Sequence, residues 1–158
     1  MIKFLNVLID YFTKLLSKTK IGLFFIERIF LSSYSNIYEI KHNGVSLKFS
    51  VPNILCQYRA KNFSKKEPET LNWIDTFEEK KILFDIGANI GSYSLYAAKK
   101  KKSKVYAFEP SVFNLELLVR NIQHNNLSNK INVITNPIYS SKNINEMKIT
   151  NLSHGGAM

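Results

Sequence analysis

A short glycine-containing segment, ILFDIGANIGSYS at residues 82–94, has the residue types and spacing of a ligand-binding loop. An apolar run ends at Asp85, and Gly87 and Gly91 follow with three residues between them. Glycine permits a sharp turn and lets a ligand approach without a β-carbon in the way. The amides that begin the next helix, around residues 91–94, suit an anionic group. Glu109 follows 22 residues after Gly87 and can accept hydrogen bonds from a ribose diol.

Three classes of ligand compete for such a loop. A P-loop needs Gly-Lys-Ser/Thr after four spacer residues, and Gly91-Ser92 lacks the lysine, so a nucleotide triphosphatase is not expected. A dinucleotide site has G-x-G-x-x-G, whereas Ala88 and Asn89 stand near the second glycine's place and leave less room for a pyrophosphate. S-adenosylmethionine has a ribose and no phosphate. Asp85 would place a negative charge near its ammonium and sulfonium, while loop amides would bind its carboxylate.

The elements around the loop alternate between strand and helix from residue 82 onward. KILFDIG, KVYAFEP and INVITNP are short apolar runs typical of buried parallel strands. SYSLYAAKK and SVFNLELLVRNIQHN have the composition and spacing of helices. The order β-α-β-α-β is half of a Rossmann-like doubly wound sheet, in which ligands bind past the carboxyl ends of the strands. The predicted fold class is α/β.

Residues 37–81 are predicted to lead into this core. Alternating apolar residues around Asn43-Gly44 predict a β-hairpin over residues 37–51. Residues 52–68 are predicted to be irregular, and a helix is predicted over residues 67–81 with Trp73 on its buried side. MKIT, at residues 147–150, predicts a short extra strand.

The N-terminal segment, residues 1–36, is apolar with a helical period. Its apolar positions are Phe4, Leu5, Leu8, Phe12, Leu15 and Leu16. Charged residues interrupt it, so it contains no charge-free window of about 18 residues and is not predicted to span a membrane. No signal-peptide cleavage site follows. Such a helix either lies in a membrane interface or packs its apolar face on the domain or on a partner chain, and the second interpretation is favoured.

Composition bounds the compartment and the partners. The chain has 158 residues with 22 Lys and Arg against 12 Asp and Glu, a net charge of +10. Such a charge suits nucleic acid, an anionic membrane or an acidic substrate, but a general lysine bias is the favoured interpretation. The lysine run KKKKSK, residues 99–104, is predicted to complement a helix C-terminus, because RNA binding would require interleaved aromatic residues. The single cysteine, Cys56, predicts a reducing, cytoplasmic location.

Two segments together resemble the FkbM-type family of S-adenosylmethionine-dependent methyltransferases. They are FDIGANIGSYSLYAAK and VYAFEPSVFNLELLVRNIQHNNL, and EPETLNWI and the terminal GGA also match, so the resemblance runs from about residue 37 to the end. It implies a class I methyltransferase fold, S-adenosylmethionine as cofactor, and a hydroxyl acceptor on a sugar or secondary metabolite. By position it implies a cofactor site formed by Asp85, Gly87, Ala88, Asn89, Gly91, Glu109, Pro110, Ser111 and Asn136.

The resemblance also implies roles for these residues. Glu109 would hold the ribose, Pro110 and Ser111 would lie near the adenine, and Asn136 would face the adenine edge. Three structural alternatives stay open. Asn89 can be a turn residue that tolerates a left-handed backbone, Glu109 a solvated strand end, and Asp85 a cap on loop amides.

The chain departs from the family in its length. A class I sheet has seven strands, whereas three core strands are predicted here and the family's D-x-E-G motif on the fourth strand is absent, so no catalytic residue and no metal ligand is nominated. We therefore expect an incomplete fold in three segments, residues 1–36, 37–81 and 82–158. We also expect the isolated chain to be inactive and to self-associate, because its first core strand would be an open edge.

The expected function is the N-terminal portion of a methyltransferase that acts on a small-molecule or glycan hydroxyl, with nucleic acid not expected as a partner. Contact of residues 1–31 with a membrane surface is a further option. Two alternatives remain. One is a non-catalytic truncated remnant that binds a ligand or a partner, and the other is an RNA methyltransferase, which the charge of +10 suggests.

Overall fold

The N-terminal unit of the chain is a pair of helices. The computed structural model describes residues 2–138 and 153–156, and the chain divides into two compact units, residues 1–36 and 37–158. The first unit contains α1 (Ile2–Leu16) and α2 (Lys20–Tyr34). A β-carbon at Gly22 would overlap the backbone of Leu16, so this turn requires glycine. Within the described residues, no helix is both long enough and apolar enough to cross a membrane.

The second unit begins with a β-hairpin, as predicted. Strands β1 (Ile37–His42) and β2 (Val45–Ser50) pair antiparallel. Asn43 and Gly44 both have positive φ, +42° and +82°, which a two-residue hairpin turn requires. Leu47 and Phe49 of β2 are fully buried, so one face of the hairpin packs on the core.

Three short helices follow, and here the sequence-based prediction is partly wrong. The structure contains α3 (Ile54–Lys61), α4 (Phe63–Lys66) and α5 (Pro68–Asp75). Residues 52–68 are thus largely helical rather than irregular. The only buried residues of α3 are the small Cys56 and Ala60, which produce no apolar period. α5 ends earlier than predicted, and its Trp73 is 55% exposed instead of buried.

The remainder of the unit confirms the predicted α/β fold class. Strands β3 (Ile82–Ile86), β4 (Lys104–Phe108) and β5 (Ile131–Ile134) form a parallel sheet in the order β3-β4-β5, with helices α6 (Ser92–Lys100) and α7 (Val112–His124) between them. This is an incomplete Rossmann-like sheet. Its strands end at the same edge, which brings the residues after β3 and β4 together.

One face of this sheet is apolar and exposed. Ile82, Phe84 and Ile86 of β3 are each at least 60% exposed, and the Phe84 ring stacks on Tyr106 at 5.3 Å. Leu83, on the opposite face, is buried. Among the described residues β3 pairs with β4 alone, so its other edge is open. The expected self-association of the chain stays a prediction, and the strand expected at residues 147–150 lies outside the described residues.

Candidate cofactor site

The loop between β3 and α6 is held by hydrogen bonds within the chain. The amides of Gly87 and Ala88 both donate to the carbonyl of Phe108 at 2.9 Å, and the amide of Gly91 donates to the carbonyl of Ala88 at 2.8 Å. The loop therefore wraps over the end of β4, where Glu109 follows. This arrangement brings the two sequence-predicted segments of the site into direct contact.

The two glycines of the loop are required for different reasons. Gly87 has φ +80°, and a β-carbon there would meet no atom within 4 Å, so the backbone faces open space that a ligand can enter. Gly91 has φ +86°, and a β-carbon there would lie 2.5 Å from Cδ1 of Leu118. Gly91 thus allows helix α7 to pack closely against the loop.

Glu109 is buried and fixes the loop. Its side chain is 2% exposed, so the alternative of a solvated strand end is wrong. One carboxylate oxygen accepts from the amide of Asn89 at 2.7 Å. The other accepts from the amide of Ser111 at 2.9 Å and from the side-chain amide of Asn114 at 3.4 Å. A carboxylate has about four acceptor positions, so one remains for a ligand hydroxyl.

Asn89 and Asn114 place the C-terminal segment beside this carboxylate. Both side-chain amides donate to the carbonyl of Gly156, at 2.9 and 3.1 Å, and Asn114 accepts from the amide of Gly155 at 3.0 Å. Asn89 has φ +51°, so it also serves as the left-handed turn residue proposed as its alternative role. Asn114 is not among the residues predicted from the sequence, because a single amide within a helical pattern carries no signal.

Asp85 caps the first turn of α6. Its carboxylate accepts from the hydroxyl of Ser94 at 2.6 Å and also from the Ser94 backbone amide. Burial raises the pKa of Asp85, and these hydrogen bonds oppose the shift. Asp85 is therefore a cap on the start of α6 rather than on the loop amides of its alternative role, and it also lines the cavity beside the loop.

The remaining residues predicted for the site make fewer contacts with the glycine loop and with Glu109. Pro110 is partly buried between Glu109 and Ser111. Asn136 is exposed, two residues past the end of β5, and no hydrogen bond links it to the other described residues of the site. His154 packs edge-on against the Phe113 ring.

A cavity of about 340 Å³ lies beside the loop. One wall is formed by residues 85–90, from the end of β3 through the loop. The facing wall comes from the α3–α5 region and the start of α6, and its residues are Arg59, Phe63, Lys66, Glu67, Thr70, Ser92 and Tyr93. The sequence analysis assigned no role to this second wall.

Helix α7 ties the hairpin to the loop through Asn121. This side chain is fully buried, accepts from the amide of Ser50 at 2.7 Å and donates to the carbonyl of Ile90 at 2.8 Å. Asn125, one turn later, bonds both the amide and the carbonyl of Lys48. The position of the glycine loop therefore depends on side chains that lie more than 30 residues away in the sequence.

Comparison with curated proteins finds a tRNA methyltransferase. The tRNA (guanine(37)-N(1))-methyltransferase of Dictyostelium discoideum is 28% identical over 97 residues, which is 61% of this chain and 20% of the relative. The chain thus spans about a fifth of the length of that relative. No protein-family model matches the chain, so the resemblance to the FkbM-type family is not confirmed.

Solved methyltransferase structures show partial likeness. TYW2 of Pyrococcus horikoshii, in complex with MeSAdo, is 21% identical with a TM-score of 0.47, over 64% of this chain and 36% of that one. TYW2 of M. jannaschii, in complex with AdoMet, is 25% identical with a TM-score of 0.46, over 62% and 42%. The M. jannaschii tRNA m1G37 methyltransferase is 23% identical with a TM-score of 0.45, over 62% and 28%.

The curated relative is a methyltransferase, which agrees with the enzyme class expected from the sequence, and it corrects the expected partner. A small-molecule or glycan acceptor, with nucleic acid not expected, is contradicted, because the curated relative is named a tRNA methyltransferase. Nothing in the comparisons supports contact of residues 1–31 with a membrane.

Proposed function

We propose that this chain is the cofactor-binding portion of an S-adenosylmethionine-dependent methyltransferase that acts on RNA. The observation that carries the proposal is the 97-residue similarity to a tRNA methyltransferase. The net charge of +10 supports an RNA partner, since a basic surface attracts the phosphate backbone. A cytoplasmic location is part of the proposal. Neither the curated relative nor a family model supports the O-methylation that the FkbM-type resemblance implies.

The geometry of the loop fits this cofactor. Glu109 can accept one ribose hydroxyl at its free position, and a second if the long 3.4 Å bond from Asn114 gives way. A carboxylate at this point would repel a phosphate, which S-adenosylmethionine does not have. Gly87 leaves open space for the ligand at the end of β3. We assign cofactor binding to Asp85, Glu109 and the loop, and we assign no catalytic base.

Methyl transfer requires alignment more than covalent help from the protein. When bound, S-adenosylmethionine would supply an electrophilic methyl group for a nucleophilic atom of the acceptor, with S-adenosylhomocysteine as the leaving group that keeps the electron pair of the broken bond. Correct placement of the three reacting atoms supplies much of the rate enhancement. The hydrogen-bonded loop, in which each amide from Gly87 to Gly91 is bonded within the chain, provides the rigid support that this needs.

The first prediction tests cofactor and substrate together. The protein is expected to bind S-adenosylhomocysteine, measured by calorimetric titration, and to bind tRNA with an affinity that falls steeply as salt is raised. Each phosphate contacted on a duplex contributes about 0.9 to the slope of log affinity against log salt. Fluorescence anisotropy with labelled tRNA at several salt concentrations gives this slope. Lack of S-adenosylhomocysteine binding, or a flat salt dependence, contradicts the proposal.

The lysine run at residues 99–104 is bonded within the chain and is not proposed as the RNA surface. Its ammonium groups donate hydrogen bonds to oxygen atoms of neighbouring segments. The pairs are Lys99 with Asn125, Lys100 with Asn43, Lys101 with Asp75, Lys102 with Glu79 and Lys104 with Asn129. These bonds connect the end of α6 to the hairpin turn, to α5 and to the segments around it.

The second prediction follows from these bonds. Replacing Lys99 to Lys102 with glutamine is expected to change the salt slope of tRNA binding by less than about one unit, because these lysines contact protein acceptors rather than phosphates. Anisotropy titrations of the variant and the parent provide the comparison. A slope reduced by about three units would instead place the run in the RNA interface.

A further inference from the structure

The cavity beside the glycine loop carries both signs of charge. Arg59 of α3 and Lys66 of α4 contribute positive groups, while Glu67 and Asp85 contribute carboxylates. Nε of Arg59 is buried and has no hydrogen-bond partner among the described residues. A buried guanidinium nitrogen without an acceptor is costly, so this position favours a ligand with an anionic oxygen.

The loop itself has no free backbone N–H donors for an anion between Gly87 and Gly91. The amides of Gly87, Ala88 and Gly91 donate to backbone carbonyls, that of Asn89 to Glu109, and that of Ile90 to the Asn89 side chain. The expectation that loop amides bind the cofactor carboxylate therefore has no free donors in this segment. The amides of the next two residues, Ser92 and Tyr93, donate to no described residue, and both residues line the cavity.

Two carboxylates, those of Glu67 and Asp85, line the same cavity. Burial is the largest cause that raises the pKa of Asp85, and the charges of Glu109 and, after it, Glu67 add to the shift. Glu67 also accepts a hydrogen bond from the Tyr93 phenol and lies 3.4 Å from the Lys66 ammonium. Asp85 accepts from Ser94 and Glu67 pairs with Lys66, and each carboxylate keeps acceptor positions for a ligand cation.

We propose that this cavity is the subsite for the α-amino-acid end of the cofactor. Arg59, with the amides of Ser92 and Tyr93, binds the carboxylate, and Glu67, with Asp85, binds the ammonium. The inference rests on the proposed cofactor. It keeps the amides at the start of α6, as expected from the sequence, and adds Arg59 and Glu67 from the facing wall of the cavity. A zwitterion supplies an acceptor for the unpaired Nε of Arg59 and a donor for the two carboxylates at once.

The test compares three ligands that share the adenosine thioether. S-adenosylhomocysteine has both charges, 5′-deoxy-5′-(3-aminopropylthio)adenosine has only the ammonium, and 5′-methylthioadenosine has neither. The parent is expected to bind S-adenosylhomocysteine about a hundredfold more tightly than 5′-methylthioadenosine, since each charge-assisted contact is worth about tenfold or more. Calorimetric titration gives the three affinities.

The variants separate the two halves of the subsite. Arg59→Gln is expected to lower the affinity for S-adenosylhomocysteine about tenfold and to leave the affinity for the aminopropyl ligand unchanged. Glu67→Gln is expected to lower the affinity for both of these ligands. Lys61→Gln is the matched control, because it removes the same charge from the same helix at an exposed position outside the cavity. Unchanged binding of 5′-methylthioadenosine shows that each variant is folded.

The outcomes distinguish this inference from the proposed function. Two results contradict the proposed subsite and leave the proposed cofactor intact. One is equal affinity of the parent for all three ligands, and the other is equal affinity of Arg59→Gln and Lys61→Gln for S-adenosylhomocysteine. If the parent binds none of the ligands, the proposed cofactor fails with it. Should Arg59→Gln not fold, the ratio of the parent's affinities for S-adenosylhomocysteine and 5′-methylthioadenosine still decides, and a ratio near one overturns the subsite.

Discussion

Glu109→Ala is expected to lower the free energy of unfolding by about 3 to 6 kcal/mol and to eliminate binding of S-adenosylhomocysteine. The carboxylate is 2% exposed and accepts from two backbone amides, those of Asn89 and Ser111. Hydrogen bonds to a charged acceptor contribute about 1.5 to 3 kcal/mol each, and removing this acceptor leaves the partly buried amide of Asn89 and the buried amide of Ser111 without it. The same change removes the group proposed to hold the ribose.

The measurement is urea unfolding together with calorimetric titration. The stability of Glu109→Gln is expected to lie between those of the parent and of Glu109→Ala. The glutamine carbonyl oxygen can still accept from one backbone amide, but its NH2 group, which only donates, would face the other. Glu78→Gln serves as control, since Glu78 is 78% exposed and pairs only with Lys81 on the surface among the described residues. A Glu109→Ala protein with parental stability would show that water replaces the carboxylate, which removes Glu109 as the anchor of the loop.

The sheet and the two halves of the glycine site could be predicted from the sequence because their signals are local. Short apolar runs alternate with helical patterns, and this alternation alone predicts parallel strands whose ends meet. Gly87, Gly91 and Glu109 stand directly after strands, so their proximity follows from the topology. Their hydrogen bonds could not be predicted in the same way. The two backbone amides that donate to Glu109 reach it only because of the path that the loop takes.

The second wall of the cavity could not be predicted, because nothing local marks it. Helix α3 has a small buried face, so the apolar pattern that predicts helices is missing. Arg59 reaches the loop only through tertiary packing, across about 30 residues of sequence. Asn114 and Asn121 were missed for the same reason, since a buried asparagine differs from a surface asparagine only in what it contacts.

Asn121 shows how a missed residue controls the site. It is fully buried on α7, and its two side-chain atoms bond the amide of Ser50 in the hairpin and the carbonyl of Ile90 in the glycine loop. Neither of these backbone groups has another partner described for it. The side-chain amide of Asn121 therefore connects the hairpin to the loop, and among the described residues no direct hydrogen bond joins these two segments.

Asn121→Leu is accordingly expected to lower the free energy of unfolding by about 2 to 6 kcal/mol, because two buried backbone groups lose their partners at about 1 to 3 kcal/mol each. Leucine is close in size, so the loss reports hydrogen bonding rather than a cavity. Asn121→Asp keeps the acceptor for Ser50 but places a carboxylate against the carbonyl of Ile90, so we expect it to destabilise the protein and to weaken S-adenosylhomocysteine binding. Gln123→Ala, at an exposed position of the same helix, is the control in the same urea and titration experiments. Equal stabilities for Asn121→Leu and Gln123→Ala would show that the hairpin and the glycine loop are held in place without this amide.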